Sequence, residues 1–345
     1  MNPMVLTILI TSLATSTIIT MSSHHWLMAW LGLELSTLSI LPIIMQPKHP
    51  RATEATTKYF LMQATAAGLI LFAGSMNAWH TGHWLFTQQM TPTTTAALTT
   101  AIALKLGLAP THAWYPDILQ GSTMTTAAII STWQKLAPLT FLYLTLNHLP
   151  TTLILTIASL STLLGGWMGL NQTQTRKLMA FSSISHMGWL ITALTLSPDL
   201  ATLTMTTYII MTVATFLTLN TTTSKSLLDL GTSWAHSPTL QAAVLMILVS
   251  LGGLPPLTGF MPKWLILTEL VSIKLIPLAT TLIMASLPSL FFYTRLTYLT
   301  VLTTPPTTTN TEHKWRLKTH TTTSMALLMS ITTLLLPITP MLYNI

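Results

Sequence analysis

Four ionisable side chains stand inside runs that are otherwise apolar. Glu34 sits in WLMAWLGLELSTLSILPII, Lys105 in TTAIALKLGLAP, Lys135 in IISTWQKLAPLTF and Lys263 in LVSLGGLPPLTGFMPKWLIL. A charge at the centre of a bilayer costs about 2.5–3.5 kcal/mol on insertion scales. Such groups must face the protein interior, water or one another. A lysine held between burial, which disfavours its charge, and a carboxylate, which favours it, gives up or takes a proton when its partner moves. One Glu and three Lys are therefore candidates for a proton relay. Two plainer readings stand beside it: an ion pair that only holds helices together, and a side chain near a helix end that reaches to the interface. His112 and His186 are further relay candidates, since a neutral imidazole can bridge lysines through water. Hydrogen-bonded packing is the alternative for both.

The same runs carry helix breakers. Gly107 and Pro110 follow Lys105, and Gly252, Gly253, Pro255 and Pro256 precede Lys263. Glycine costs about 1 kcal/mol in a helix interior and proline about 3. Backbone groups freed by a break inside a membrane need water, side chains or ions, so these breaks predict polar cavities rather than simple kinks. LGLAPTHAWYPD (106–117) resembles LGGLPPLTGFMPK (251–263), with Leu106-Gly107 on Leu251-Gly252, Pro110 on Pro255, and Pro116 on Pro262 after one insertion. KLAPL (135–139) likewise resembles KLIPL (274–278). Paired interrupted segments point to a repeat-built transporter.

The elements that position these residues follow from composition. The chain has 345 residues, 50% hydrophobic and 6% charged, with mean hydropathy +0.61. A soluble domain carries about 25% charge, so this chain belongs in a bilayer. Eleven spanning segments are expected, near 3–21, 25–45, 59–79, 93–111, 123–146, 150–170, 178–197, 200–220, 239–270, 276–299 and 323–343. They make one all-α membrane domain over 1–345, with broken-helix repeat elements near 93–146 and 239–299. Lys48, Arg51, Lys58, Arg176, Lys177, Lys225, Lys314, Arg316 and Lys318 fall in loops after even-numbered helices, and Arg295 lies near them. The positive-inside rule puts those loops and the N-terminus in the cytoplasm or matrix, and the C-terminus opposite.

The net charge of +7 is scattered, with no basic stripe for nucleic acid. Cysteine is absent, which excludes disulfides and iron–sulfur ligation by this chain. MNPMVLTILI has neither a basic n-region nor an Arg-rich transit pattern, so the first apolar stretch is expected to be retained. No zinc-protease, phosphate-loop, dinucleotide or Ser/His/Asp signature occurs. Asp117, Asp199 and Asp229 read as loop residues, Asp117 near a helix entry, and Glu54 and Glu269 read as peripheral.

MAWLGLELSTLSILPI, KYFLMQATAA, ALKLGLAPTHAWYPDILQG, WQKLAPL, LMAFSSISHMGW and GGLPPLTGFMPKW together resemble the antiporter-like membrane subunits of respiratory complex I, related to Mrp-type cation/proton antiporters. The likeness covers essentially the whole chain. It implies two inverted five-helix repeats, each with a broken helix, and a member that lacks the first three helices of its bacterial counterparts. By the same resemblance Glu34 pairs with Lys105, Lys135 is the central relay lysine, Lys263 ends the polar axis, and His112 and His186 line it. The implied function is proton translocation in the mitochondrial inner membrane, driven by electron transfer from NADH to ubiquinone elsewhere, with the N-terminus on the matrix side and the C-terminus facing the intermembrane space. FMN, iron–sulfur clusters, NADH and ubiquinone would be bound by other subunits, with no cofactor and no metal here. The implied partners are other membrane-arm subunits, neighbouring antiporter-like subunits among them, nuclear-encoded accessory subunits and phospholipids, but no nucleic acid. A structural spacer and a free-standing antiporter are the competing readings.

Overall fold

A computed structural model describes residues 2–86, 90–232, 238–301 and 323–339. Lys314, Arg316 and Lys318, and with them most of the loop expected at 300–322, lie outside the described residues. Fifteen α-helices are described, and the chain divides into two compact units, Met1–Ala158 and Ser159–Ile345.

The first unit holds α1 (Pro3–Ser22), α2 (Trp26–Ile44), α3 (Pro50–Thr81), α4 (Pro92–Leu106), α5 (Trp114–Gly121), α6 (Met124–Ser131), α7 (Trp133–Thr145) and the start of α8 (Thr151–Gly169). α3 packs on α2, α4 and α5, and α7 packs on α1, α2 and α4. The second unit holds the rest of α8, then α9 (Thr175–Leu196), α10 (Pro198–Thr221), α11 (Leu227–Thr232), α12 (Pro238–Gly252), α13 (Phe260–Ser272), α14 (Ile276–Val301) and α15 (Thr323–Leu334). Its core gathers Trp189 and Ala193 of α9, Leu200 of α10, Ile266 and Leu270 of α13, and Ala279 and Leu282 of α14.

Seven helices are long and apolar enough to cross a membrane: α1, α2, α3, α8, α9, α10 and α14. Three of the other expected spans come in pieces. The segment expected at 93–111 is α4 and the start of a break at 107–113, with α5 following beyond its expected end. The segment at 239–270 is α12, a break, and α13. The segment at 123–146 divides as well, into α6 and α7 at Thr132, whose φ of −114° and ψ of −71° leave the helix. Thr132 fills the gap itself, its backbone N–H and its hydroxyl both donating to the Ala128 carbonyl. Pro138 in α7 has no N–H for the carbonyl one turn back. α3 begins at Pro50, nine residues ahead of the expected 59, so Arg51, Glu54 and Lys58 ride on a helix rather than in a loop.

Threonine and serine enter these apolar helices without leaving a polar group stranded. Along α10, Thr204, Thr207, Thr212, Thr215 and Thr218 each donate to a carbonyl three or four residues back at 2.8–3.1 Å. Ser182, Ser183, Ser185 and Thr192 do the same along the deeply buried α9. A hydroxyl bonded to its own helix presents mainly carbon to its surroundings.

The two breaks open on the same turn. α4 ends at Gly107, with φ of 69°, and α12 ends before Gly253, with φ of 81°. Only glycine adopts this left-handed conformation without a steric cost. Pro92 and Pro238, Pro110 and Pro256, Trp114 and Phe260, and Pro116 and Pro262 all repeat the separation from 107 to 253, with no insertion. This register corrects the sequence alignment by one residue, because the turn glycine of the second break is Gly253 rather than Gly252. It also removes the second block. Lys135 is buried in the first turn of α7, whereas Lys274 is an exposed turn residue with φ of 67°.

Gly259 ends the second break against α12, where an added Cβ would collide with the Ser250 carbonyl. Gly68 in α3 has nothing within 4 Å of such a Cβ. Gly259→Ala should lower stability by about 1–3 kcal/mol and depress the thermal midpoint of the assembled protein, while Gly68→Ala should not. Equal midpoints for the two variants would contradict the close approach.

Candidate functional site

In the first unit, α2, α3, α4 and α7 bring polar side chains to one place. Glu34 lies midway along α2, and Lys105 lies in the last turn of α4. Glu34 Oε2 and Lys105 Nζ are both buried without a hydrogen-bond partner. No contact ion pair joins them within 4.0 Å among the described residues; Glu34 acts on Lys105 through space. Lys105 is 6% exposed and Lys135 only 3%. The two lysines line one cavity of about 20 Å³ together with Tyr59, Gln63, Tyr115 and Gln134. That volume suits about one water. A water there would be within reach of either lysine side chain.

Lys135 Nζ sits 4.9 Å from the centre of the Tyr115 ring. An aromatic face attracts a cation, so the ring helps to hold Lys135 in place. Its neighbour Gln134 donates from Nε2 to the Ser36 carbonyl at 3.0 Å and ties α7 to α2 two residues beyond Glu34. Tyr59 and Trp114 meet edge to face at 6.0 Å, and Trp114 meets Tyr115 at 5.6 Å. His112 is buried in the break, where its ring bonds to the Pro110 carbonyl. It does not line the lysine cavity.

In the second unit, α9, α10 and α13 do similar work. Lys263 lies in the first turn of α13, and its Nζ donates to the Gly252 carbonyl at 3.1 Å. It thus caps the carbonyl end of α12 across the break, where the helix dipole is negative. Lys263 and His186 line one cavity of about 20 Å³ with Thr207, Tyr208 and Met211. The His186 ring is 5.9 Å from the Tyr208 ring, and its Nε2 is 3.4 Å from the Tyr293 hydroxyl. Tyr293 itself is 1% exposed and also bonds to Ser182.

Each unit thus combines a broken helix, a lysine that is buried in the first and half-buried in the second, and a water-sized cavity. Such a set can hold, release and pass protons, and among the described residues no group of His, Cys, Asp and Glu could hold a metal ion. Sequence reasoning missed Tyr59, Gln63, Tyr115, Gln134, Tyr208 and Tyr293. Gln63 and Gln134 were detectable as amides in apolar runs; the tyrosines carried no signal, because an aromatic at helical spacing reads as core. Replacing Tyr115 by Phe or by Leu removes the hydroxyl in both cases, so their difference reports the ring alone. The Leu variant should be less stable than the Phe variant by about 0.5–2 kcal/mol, read from thermal inactivation of the assembled protein. Indistinguishable variants would argue against the cation–ring contact.

The chain matches a family model described as NADH:quinone oxidoreductase/Mrp antiporter over residues 23–289. A second, described as NADH dehydrogenase subunit 2 C-terminus, matches over 290–343. It is 51% identical to NADH-ubiquinone oxidoreductase chain 2 of Struthio camelus over 342 residues, 99% of each chain. To the Carassius auratus protein of the same name it is 52% identical over 341 residues, 99% of this chain and 98% of the other. Among solved structures it resembles a chain of respiratory complex I from Thermus thermophilus with bound aureothin, at TM-score 0.82 and 24% identity over 96% of this chain and 79% of that one. It resembles a chain of the Mrp complex from a Dietzia species at TM-score 0.83 and 15% identity, over 97% and 75%. At these identities the structural likenesses speak for the fold alone.

Proposed function

The chain belongs to the NADH-ubiquinone oxidoreductase chain 2 family, and on that premise we propose that its two units carry a Glu/Lys proton relay in the membrane arm of respiratory complex I. It is an antiporter-like subunit of a proton-translocating NADH:ubiquinone reductase. Glu34, Lys105 and Lys135 serve the first unit, and Lys263 with His186 the second. His112 supports the relay by fixing the first break. Oxidation of NADH and reduction of ubiquinone occur in other subunits, which hold the flavin and the iron–sulfur clusters. The charge changes of that chemistry reach this subunit as shifts in the electrostatic balance between Glu34 and Lys105.

The observation that supports this reading most is the pair of buried lysines, Lys105 and Lys135, on one cavity beside a carboxylate with an unsatisfied oxygen. A spacer subunit would be better stabilised by an apolar residue at Lys105, since a buried charge left without a contact partner is destabilising. The inner mitochondrial membrane is the compartment, in line with the vertebrate relatives. Eleven crossings follow if α4–α5, α6–α7 and α12–α13 each make one. The N-terminus then lies on the matrix side and the C-terminus faces the intermembrane space. Neighbouring antiporter-like subunits, nuclear-encoded accessory subunits and phospholipids cover the flanks.

Lys105→Met in the assembled complex should leave NADH oxidation by a water-soluble acceptor intact and lower the number of protons moved per electron pair. Normal pumping by an assembled Lys105→Met complex would sink the relay. Loss of assembly with Lys105→Met, together with normal pumping by an assembled Lys105→Arg complex of altered geometry, would favour the spacer. Migration alone on a native gel, outside a large NADH-oxidising assembly, would favour a free-standing antiporter.

A further inference from the structure

We propose that Asp117, with Lys58 and Glu54, forms the aqueous mouth through which the Lys105/Lys135 cavity of the first unit exchanges protons with one face of the membrane. The inference rests on the relay reading above and adds to it an entrance that the intramembrane charges alone do not locate.

A pocket of about 180 Å³ opens at the start of α3 and the middle of α5, lined by Arg51, Glu54, Lys58, Asp117 and Gln120. The volume holds about six waters at the liquid's share of about 30 Å³ each. Lys58 bridges two acids there. Its Nζ is 2.8 Å from Glu54 Oε1 and 3.0 Å from Asp117 Oδ2, and the three side chains are 42%, 62% and 44% exposed. Exposed pairs of this kind contribute little to stability, so the cluster is poorly explained as a brace. One lysine shared between two carboxylates is instead easily moved: a shift toward Glu54 frees Asp117 to take a proton.

The same two helices line the pocket and the inner cavity. On α3, Ala55 and Lys58 face the pocket while Tyr59 and Gln63 face the cavity. On α5, Asp117 and Gln120 face the pocket while Trp114 and Tyr115 face the cavity. On the cavity side of these helices Tyr59 and Trp114 form a buried edge-to-face pair, taken here as the partition between pocket and cavity. Lys105 lines the same cavity, is 6% exposed, and its Nζ is without a hydrogen-bond partner. Gly121 pins α5 against α3, since a Cβ there would fall 2.7 Å from the Arg51 carbonyl oxygen. The repeat register adds an independent reason. Asp117 occupies in the first unit the place that Lys263, a proposed relay group, occupies in the second.

The step conserves charge simply. Asp117 takes a proton from a bulk hydronium ion, one O–H bond forming on the carboxylate as one breaks on the hydronium and leaves water. When the aromatic partition opens it gives that proton through a cavity water to the neutral amine of Lys105, where one N–H bond forms as the O–H bond breaks. The carboxylate is then restored and again bridged by Lys58.

The chain has no cysteine, so a single introduced thiol reports its own exposure. In the assembled complex, Asp117→Cys should react with a membrane-impermeant maleimide. Gln63→Cys should react more slowly, and Tyr59→Ala should speed Gln63→Cys labelling by roughly tenfold by opening the partition. Asp117→Asn should lower protons moved per electron pair, and Asp117→Glu should restore them. Normal pumping in Asp117→Asn, alongside a loss in Lys105→Met, would overturn the mouth and leave the relay standing. Normal pumping in both would overturn the relay itself. If Asp117→Asn prevents assembly, labelling decides: a Gln63→Cys that stays unreactive even with Tyr59→Ala would overturn the proposal.

Discussion

Inside a bilayer no water is free to satisfy a polar group, and this single constraint accounts for most of what this chain does with its residues. Backbone amides are closed within helices. Hydroxyls are closed one turn back on their own helix, as along α9 and α10. Wherever a helix ends within the apolar zone, something charged or conformationally special stands at the gap. Gly107 and Gly253 turn the chain, Thr132 caps its own break, and Lys263 takes the carbonyl at the end of α12. Polar groups left open under such a rule are exceptions, and Glu34 Oε2 and Lys105 Nζ are the charged ones among them.

Much of this was legible in the sequence, and the reason is that the constraint penalises exceptions. Glu34, Lys105, Lys135 and Lys263 announce themselves because a charge in an apolar run is expensive, and Gly–Pro clusters because they break helices. What stayed hidden was whatever the constraint does not penalise. The division at Thr132 uses a residue that fits helices elsewhere in the chain. α5 is only eight residues long, too short for its apolar face to stand out beside the longer runs. The register of the repeat slid by one because Gly252 and Gly253 are indistinguishable until a backbone angle separates them. KLAPL and KLIPL matched as letters, yet one lysine is buried and the other is in an exposed turn. Lys58 and Asp117 were assigned to loops because charge near a span's end reads as a flank; in fact both sit on helices, 3.0 Å apart.

The family relation and the geometry inform different questions. Identity near one half over the whole length fixes what the chain is related to, and folds shared at much lower identity show how widely the scaffold is reused. Neither says which atoms meet. The cavities do: Lys105 with Lys135 in one unit, and Lys263 with His186 in the other. The tyrosines that line them supply shape, and Tyr115 adds a surface that steadies a cation.

The repeated frame of the two breaks has one further consequence. At matching places after the turn glycine, one copy presents Asp117 and the other Lys263. The two breaks therefore place groups of opposite charge type at one position of a shared backbone frame, an acid in one where the other has a base.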